Sequence, residues 1–156
     1  MSAQTGLITL GDENATGRLA CILAAQARPG DALLLSGPLC AGLSVFSRAF
    51  LRAVCRDEAL EVPSPTYTLV QAYQAPDYVV SHFDLWRLGS ADELEELGWD
   101  DAREGVVLVE WHDKLEEFLP DNALHLTLSV QADGTRMVSV QGWEERLSPG
   151  WHRAGG

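Results

Sequence analysis

LLLSGPLCAGLS, residues 33–44, decides how the rest of the chain is read. A run of leucines leads to Gly37, four residues intervene, and Gly42 follows, with Leu43 and Ser44 behind it. An apolar run closed by glycine suits a strand buried on both faces of a sheet. SVFSRAFLRAV, residues 44–54, has helix periodicity, with Val45, Phe46, Ala49, Phe50 and Ala53 expected inward. Strand, glycine-bounded loop and helix form a unit that can hold phosphate: loop N–H groups converge and the helix start adds partial positive charge. The phosphate-loop pattern is G-x-x-x-x-G-K-[ST]. Gly37, Gly42 and Ser44 match it, and Leu43 stands where the lysine belongs. By pattern alone, a plain strand–turn–helix competes with a phosphate loop that has lost its charge.

Outward from this stretch, strands and helices alternate. GLITL, residues 6–10, reads as a strand, and residues 12–27 as a helix capped by Asp12, with Ala15, Leu19, Ile22 and Leu23 on one face. VPSPTYTLV is extended, because each proline biases its predecessor away from helix. TLVQAY and YVVSHFDL read as strands, and VVLVE as a buried one. SADELEELG reads as a short helix, with Ser90 and Glu93 at capping-box spacing and Gly98 at its end. ALHLTLSV and TRMVSVQG alternate with period two around QADG, the pattern of a hairpin. No repeat or linker interrupts the 156 residues, so one α/β domain is expected, with a flexible tail from about residue 147 to 156.

Composition narrows the function. An apolar share of 46% is enough for a packed core and argues against disorder. No apolar run reaches the roughly 20 residues of a membrane span. The start lacks the basic and apolar regions of a secretory signal. Cys21, Cys40 and Cys55 lack metal-ligand spacing and read as reduced thiols of a cytoplasmic protein. A net charge of −12 argues against a chain that grips nucleic acid by itself. Acids crowd between Asp92 and Glu117. That band reads as a solvated face, or as a docking face for a basic partner or a magnesium-bearing site.

Two acids each close an apolar strand: Asp84 after VVSHF and Glu110 after VVLV. In a parallel sheet both reach the carboxyl edge, where ligands bind. His82 reads as a hydrogen-bonding group beside a strand rather than a general base. Trp86, Trp99 and Trp111 read first as core aromatics.

Taken in order after a strand–loop–helix, SPTYTLV, HFDLWRL, ELEELG and LVEW resemble the TsaE (YjeE) family, the P-loop ATPase subunit of tRNA threonylcarbamoyladenosine (t6A37) biosynthesis. The likeness runs from about Leu10 to Val140. It implies a P-loop NTPase-like three-layer α/β fold, with a mostly parallel central sheet and a C-terminal antiparallel hairpin. It implies ATP or ADP with Mg2+ as cofactors and the TsaD and TsaB proteins as partners, with tRNA reached only through their complex. The cofactor-binding residues it implies are Gly37, Cys40, Ala41, Gly42, Leu43, Ser44 and Val45, with Glu13 and Thr16 near the adenine and Trp111 closing the site. Ser44, Glu110 and Asp84 are the implied metal ligands. Asp84, Glu110 and Thr66 are the implied catalytic residues, Thr66 in a switch-like loop. Against the family pattern, Leu43 replaces lysine, Cys40 a glycine, Pro38 an aspartate and Val45 a threonine. His112 stands where proline often follows VEW. Arg48 and Arg87 are the candidate guanidinium substitutes for the missing charge. The expected product is a weakened ATPase, or a non-enzymatic pseudo-ATPase assembly subunit of the same complex.

Overall fold

Seven strands form one sheet in the order β1-β7-β6-β2-β5-β4-β3 in the computed structural model, which describes residues 5–38, 41–63, 65, 68–143 and 146–147. The strands are β1 (Thr5–Leu10), β2 (Ala32–Ser36), β3 (Val70–Gln74), β4 (Val79–Asp84), β5 (Val106–Glu110), β6 (Leu124–Val130) and β7 (Arg136–Gln141). The centre is parallel: β6, β2, β5 and β4 all run the same way. Both flanks are antiparallel, β3 on β4 at one side and β7 between β6 and β1 at the other. β6 and β7 are the expected C-terminal hairpin. β2 and β5 are apolar almost throughout because both their faces are covered.

Two helices cover one face, α1 (Glu13–Gln26) and α2 (Leu43–Cys55). Asp12 caps α1 by accepting a hydrogen bond from the Ala15 amide at 2.9 Å. Leu19, Leu23, Phe46, Phe50 and Leu51 pack on Leu33, Leu35, Leu108 and Leu126 of the sheet. The opposite face is covered by shorter pieces: a 3-10 turn at Ala91–Leu94, helix α3 (Trp99–Ala102) and 3-10 turns within His112–Phe118. Leu85, Leu94, Trp99 and Leu115 there pack on Leu34, Phe83, Val107 and Val109. Helix layer, sheet and irregular layer make the three-layer α/β fold.

Three local expectations are corrected. Residues 90–98 do not form one helix. Ser90 accepts from the Asp92 amide, but the turn stops at Leu94 and Gly98, at φ 79°, redirects the chain into α3. Four of the residues from Ala91 to Leu97 are acids, which lack an apolar stripe long enough to hold a helix on the sheet. On α2, Phe46 and Phe50 are buried and Ala49 packs partly buried against the core as expected, while Val45 and Ala53 are half-exposed; Leu43, Leu51 and Val54 also face the core. On α1, Ala15 packs partly buried against the core with Leu19 and Leu23, Ile22 is half-exposed, and Thr16 and Ala20 are buried. The expected tail falls from residue 148 outside the described residues; Leu147 packs against the core and its amide reaches the Trp143 carbonyl.

Just before it, Arg146 ties the chain end to the start of β2. Its guanidinium forms a two-pronged pair with the buried Asp31, donates to the Gln26 carbonyl and lies over the Trp143 ring. Leaving Asp31 buried without this cation should cost about 3 kcal/mol. Arg146→Ala is therefore expected to lower the urea unfolding midpoint without changing its slope. A midpoint within error of the parent would contradict this account of how the chain end is held.

Candidate functional site

Register places the two strand-end acids. Leu35 of β2 lies opposite Glu110 of β5, and Glu110 lies opposite Asp84 of β4. Residues paired in register point to the same face. Leu35 faces the helix-covered side, so both carboxylates emerge at the carboxyl edge on the side where α2 begins. Ser36 ends β2, and the chain turns at once into Gly37–Ser44.

That turn needs its glycines. Gly37 has φ 148°, and a Cβ there would sit 2.6 Å from the Leu128 carbonyl oxygen. Gly42 has φ 97°, occupies the N-cap of α2 and brings no side-chain cap. Among the described residues, a Cβ on Gly42 would meet nothing within 4 Å. No described side chain caps the first-turn amides of α2, which carry the helix's positive end. Ala41 is fully buried and its amide bonds the Pro38 carbonyl at 3.0 Å. Leu43, only 8% exposed, packs into the core beneath the turn. The residue in the lysine position therefore strengthens the base of the loop and brings no charge to its mouth.

The acids are tethered. His82 Nε2 donates to Glu110 Oε2 at 2.8 Å, with His82 buried. Asp84, also buried, accepts from the Trp86 amide at 3.1 Å. Trp86 and Trp111 stand together at the rim, ring centroids 4.3 Å apart, 53% and 38% exposed. Trp111 adopts φ 62°, a left-handed conformation that costs a non-glycine residue about 1–2 kcal/mol. Lys114 donates to the Trp86 and Leu88 carbonyls and braces this corner. Below the loop, His112 Nδ1 lies 3.3 Å from Ser36 Oγ and its ring meets His125 edge-on. Burial, helped by His125, holds the His112 pKa below the ordinary imidazole range.

The other expected positions fall as follows. Thr66 and Cys40 lie outside the described residues. Ser44 is exposed on the first turn of α2, and Val45 is half-buried beside it. β1 runs parallel to β2 through two antiparallel steps, so α1 also starts at the carboxyl edge. Exposed Glu13 consequently lines the same groove as Val45, across the α1–α2 seam. Thr16 is buried, its hydroxyl turned to the Asp12 carbonyl at 3.5 Å. Arg48 lines the groove between α1 and α2 rather than the loop. Sequence reasoning gave His82 a hydrogen bond but no partner, because a bond between adjacent strands is set by register.

The family model for threonylcarbamoyl adenosine biosynthesis protein TsaE matches residues 10–138. The chain belongs to the TsaE family. The TsaE proteins of Rickettsia felis and Rickettsia conorii are 33% and 35% identical over 86% and 85% of this chain, and over 78% and 75% of their own lengths. TsaE of Bacillus subtilis is 35% identical over 80% of this chain and 77% of its own. The crystal structure of Bacillus subtilis YdiB superposes with a TM-score of 0.77 at 24% identity, covering 100% of this chain and 99% of that one, and agrees in fold. Among the described residues, no helix is long and apolar enough to cross a membrane.

The His82–Glu110 bond gives a direct test of the tethered acids. A double-mutant cycle with His82→Ala and Glu110→Ala should return a coupling of about 1–3 kcal/mol in chemical denaturation. Additive effects of the two changes would show that the bond does not hold the carboxylate.

Proposed function

We propose that this chain serves tRNA threonylcarbamoyladenosine synthesis as a nucleotide-binding subunit acting with TsaB and TsaD. One observation carries the reading: the glycine turn of 37–42 opens at the same sheet edge, and on the same face, as Glu110 and Asp84. The residues suit magnesium with a polyphosphate. Carboxylates and a hydroxyl are the hard oxygen donors that Mg2+ takes, and loop amides with a helix start favour phosphate.

Loop amides between Gly37 and Ser44, apart from Pro38, which has no N–H, and Ala41, whose N–H bonds the Pro38 carbonyl, would bind the phosphates. Ser44 and Glu110 would hold the metal, which supplies charge neutralisation for phosphoryl transfer. Asp84, its carboxylate fixed by the Trp86 amide, would share the metal or orient the attacking water. Thr66 would approach the terminal phosphate, and Glu13 and Thr16 the base. Trp111 would shield the pocket from water. The neutral Leu43 forfeits a charge-assisted hydrogen bond worth about 1.5–3 kcal/mol, or roughly 10- to 150-fold in affinity. Weak binding of ATP or ADP and slow hydrolysis, or none, follow from that loss. The buried position of Leu43 also favours a second reading, a subunit that assembles with TsaB and TsaD without turnover. Co-purification with TsaD in the absence of nucleotide would favour it.

Leu43→Lys combined with Cys40→Gly tests the proposal, since a lysine stem can keep apolar contact while its ammonium reaches the loop. Titration with a fluorescent ADP analogue and magnesium should show at least about tenfold tighter binding in the double variant, with turnover recovered. Affinity unchanged from the parent would contradict a phosphate cradle between Gly37 and Ser44.

A further inference from the structure

The chain carries 23 acids against 11 basic residues, yet four of those eleven line one groove. It runs along the seam between α1 and α2 on the outer face of the helix layer, with a volume of about 1110 Å³. Arg48 and Arg52 stand one turn apart along α2, and Arg56 follows as its C-cap in a left-handed conformation at φ 55°. Arg18 faces them from α1. Among the described residues, the guanidinium groups of Arg18, Arg48 and Arg56 have neither a carboxylate partner nor a side-chain hydrogen bond. Arg52 uses its Nε on the Leu60 carbonyl, which leaves its two terminal nitrogens directed elsewhere. Among the described residues that line the groove, the acids are Glu13 at one end and Asp57 with Glu58 at the other.

The floor between the arginines is small and apolar. Gly17, Ala49 and Ala53 form it, with Cys21 and Ile22 on the α1 side. Gly17 and Ala49 meet closely: a Cβ on Gly17 would sit 3.9 Å from the Ala49 Cβ. Small side chains at a helix–helix seam leave a channel that the ridge of a third helix can enter.

The geometry points to a docking groove for an amphipathic acidic helix of a partner protein. The partner's apolar ridge lies on the Gly17–Ala49–Ala53 floor and its carboxylates meet the flanking arginines. Such a segment matches both features. A nucleic acid strand matches only the arginines, and the chain's surplus of twelve negative charges repels a dense polyanion at long range. Glu13 and Val45, at one end of the groove, adjoin the proposed nucleotide site; the inference rests on the arginines and the small apolar floor and not on nucleotide binding.

The test uses the full chain and a fluorescent synthetic peptide of about four helical turns, with leucines along one face and glutamates flanking them. Its controls are the same peptide with lysines for glutamates, and a single-stranded oligouridine. The glutamate peptide should bind, more weakly as salt rises. Arg18→Glu/Arg48→Glu/Arg56→Glu should weaken it at least about tenfold, three partly exposed ion pairs together being worth that much. Ala53→Glu, one floor change, should weaken it as well and serves if the triple variant fails to fold. Fluorescent ADP titrated into Ala53→Glu reads the nucleotide site separately. Four results would overturn the inference: no peptide binding up to about 1 mM, binding unaffected by either variant, tighter arginine-dependent binding of the oligouridine, or a self-association of the chain that the triple variant abolishes.

Discussion

The parallel register of β2, β5 and β4 is the constraint on which the site depends. It sets Leu35, Glu110 and Asp84 in one row across three strands. A slip of one residue on β5 would turn Glu110 to the opposite face and take Leu108 out of the helix-side core. The apolar runs on both faces make that slip costly. Core packing therefore fixes where the carboxylates emerge, and no loop has to place them.

On this base the chain adds a turn that only glycine makes. Gly37 passes too near Leu128 for a side chain, and Gly42 starts α2 from a left-handed conformation. What the turn lacks is charge. Leu43 joins the apolar layer of Phe46 and Phe50. The glycine positions are held without a cationic side chain at position 43, and shape and charge are separable features of such a turn.

Most strands were legible because their signals are local. β5 spans the residues read from VVLVE, and the hairpin around QADG follows its alternation. The flanking antiparallel strands of the sheet were less legible, since pairing partners depend on the whole chain. On α2, Val45 and Ala53 were read as inward because periodicity reports an apolar face without saying which neighbour covers it. In the fold Leu43, Phe46 and Leu51 take the sheet, and the small residues are left on the seam with α1. The acid-rich stretch after Ser90 carried a capping signal that tertiary packing overrode. At the site, the position of Asp84 and Glu110 at the ends of apolar strands points to one edge, and the register sets them in a row. The His82 tether and the left-handed Trp111 have no signature in sequence, because each depends on a neighbouring strand or loop.

Amide chemical-shift mapping during titration with magnesium and ADP tests the central claim most directly. The account predicts that the amides of Gly37, Gly42 and Ser44 move together with the Trp111 indole, and that chelating the metal reverses part of the change. Shifts confined to the α1–α2 seam, or none in a folded protein at millimolar nucleotide, would contradict a polyphosphate pocket at the end of β2.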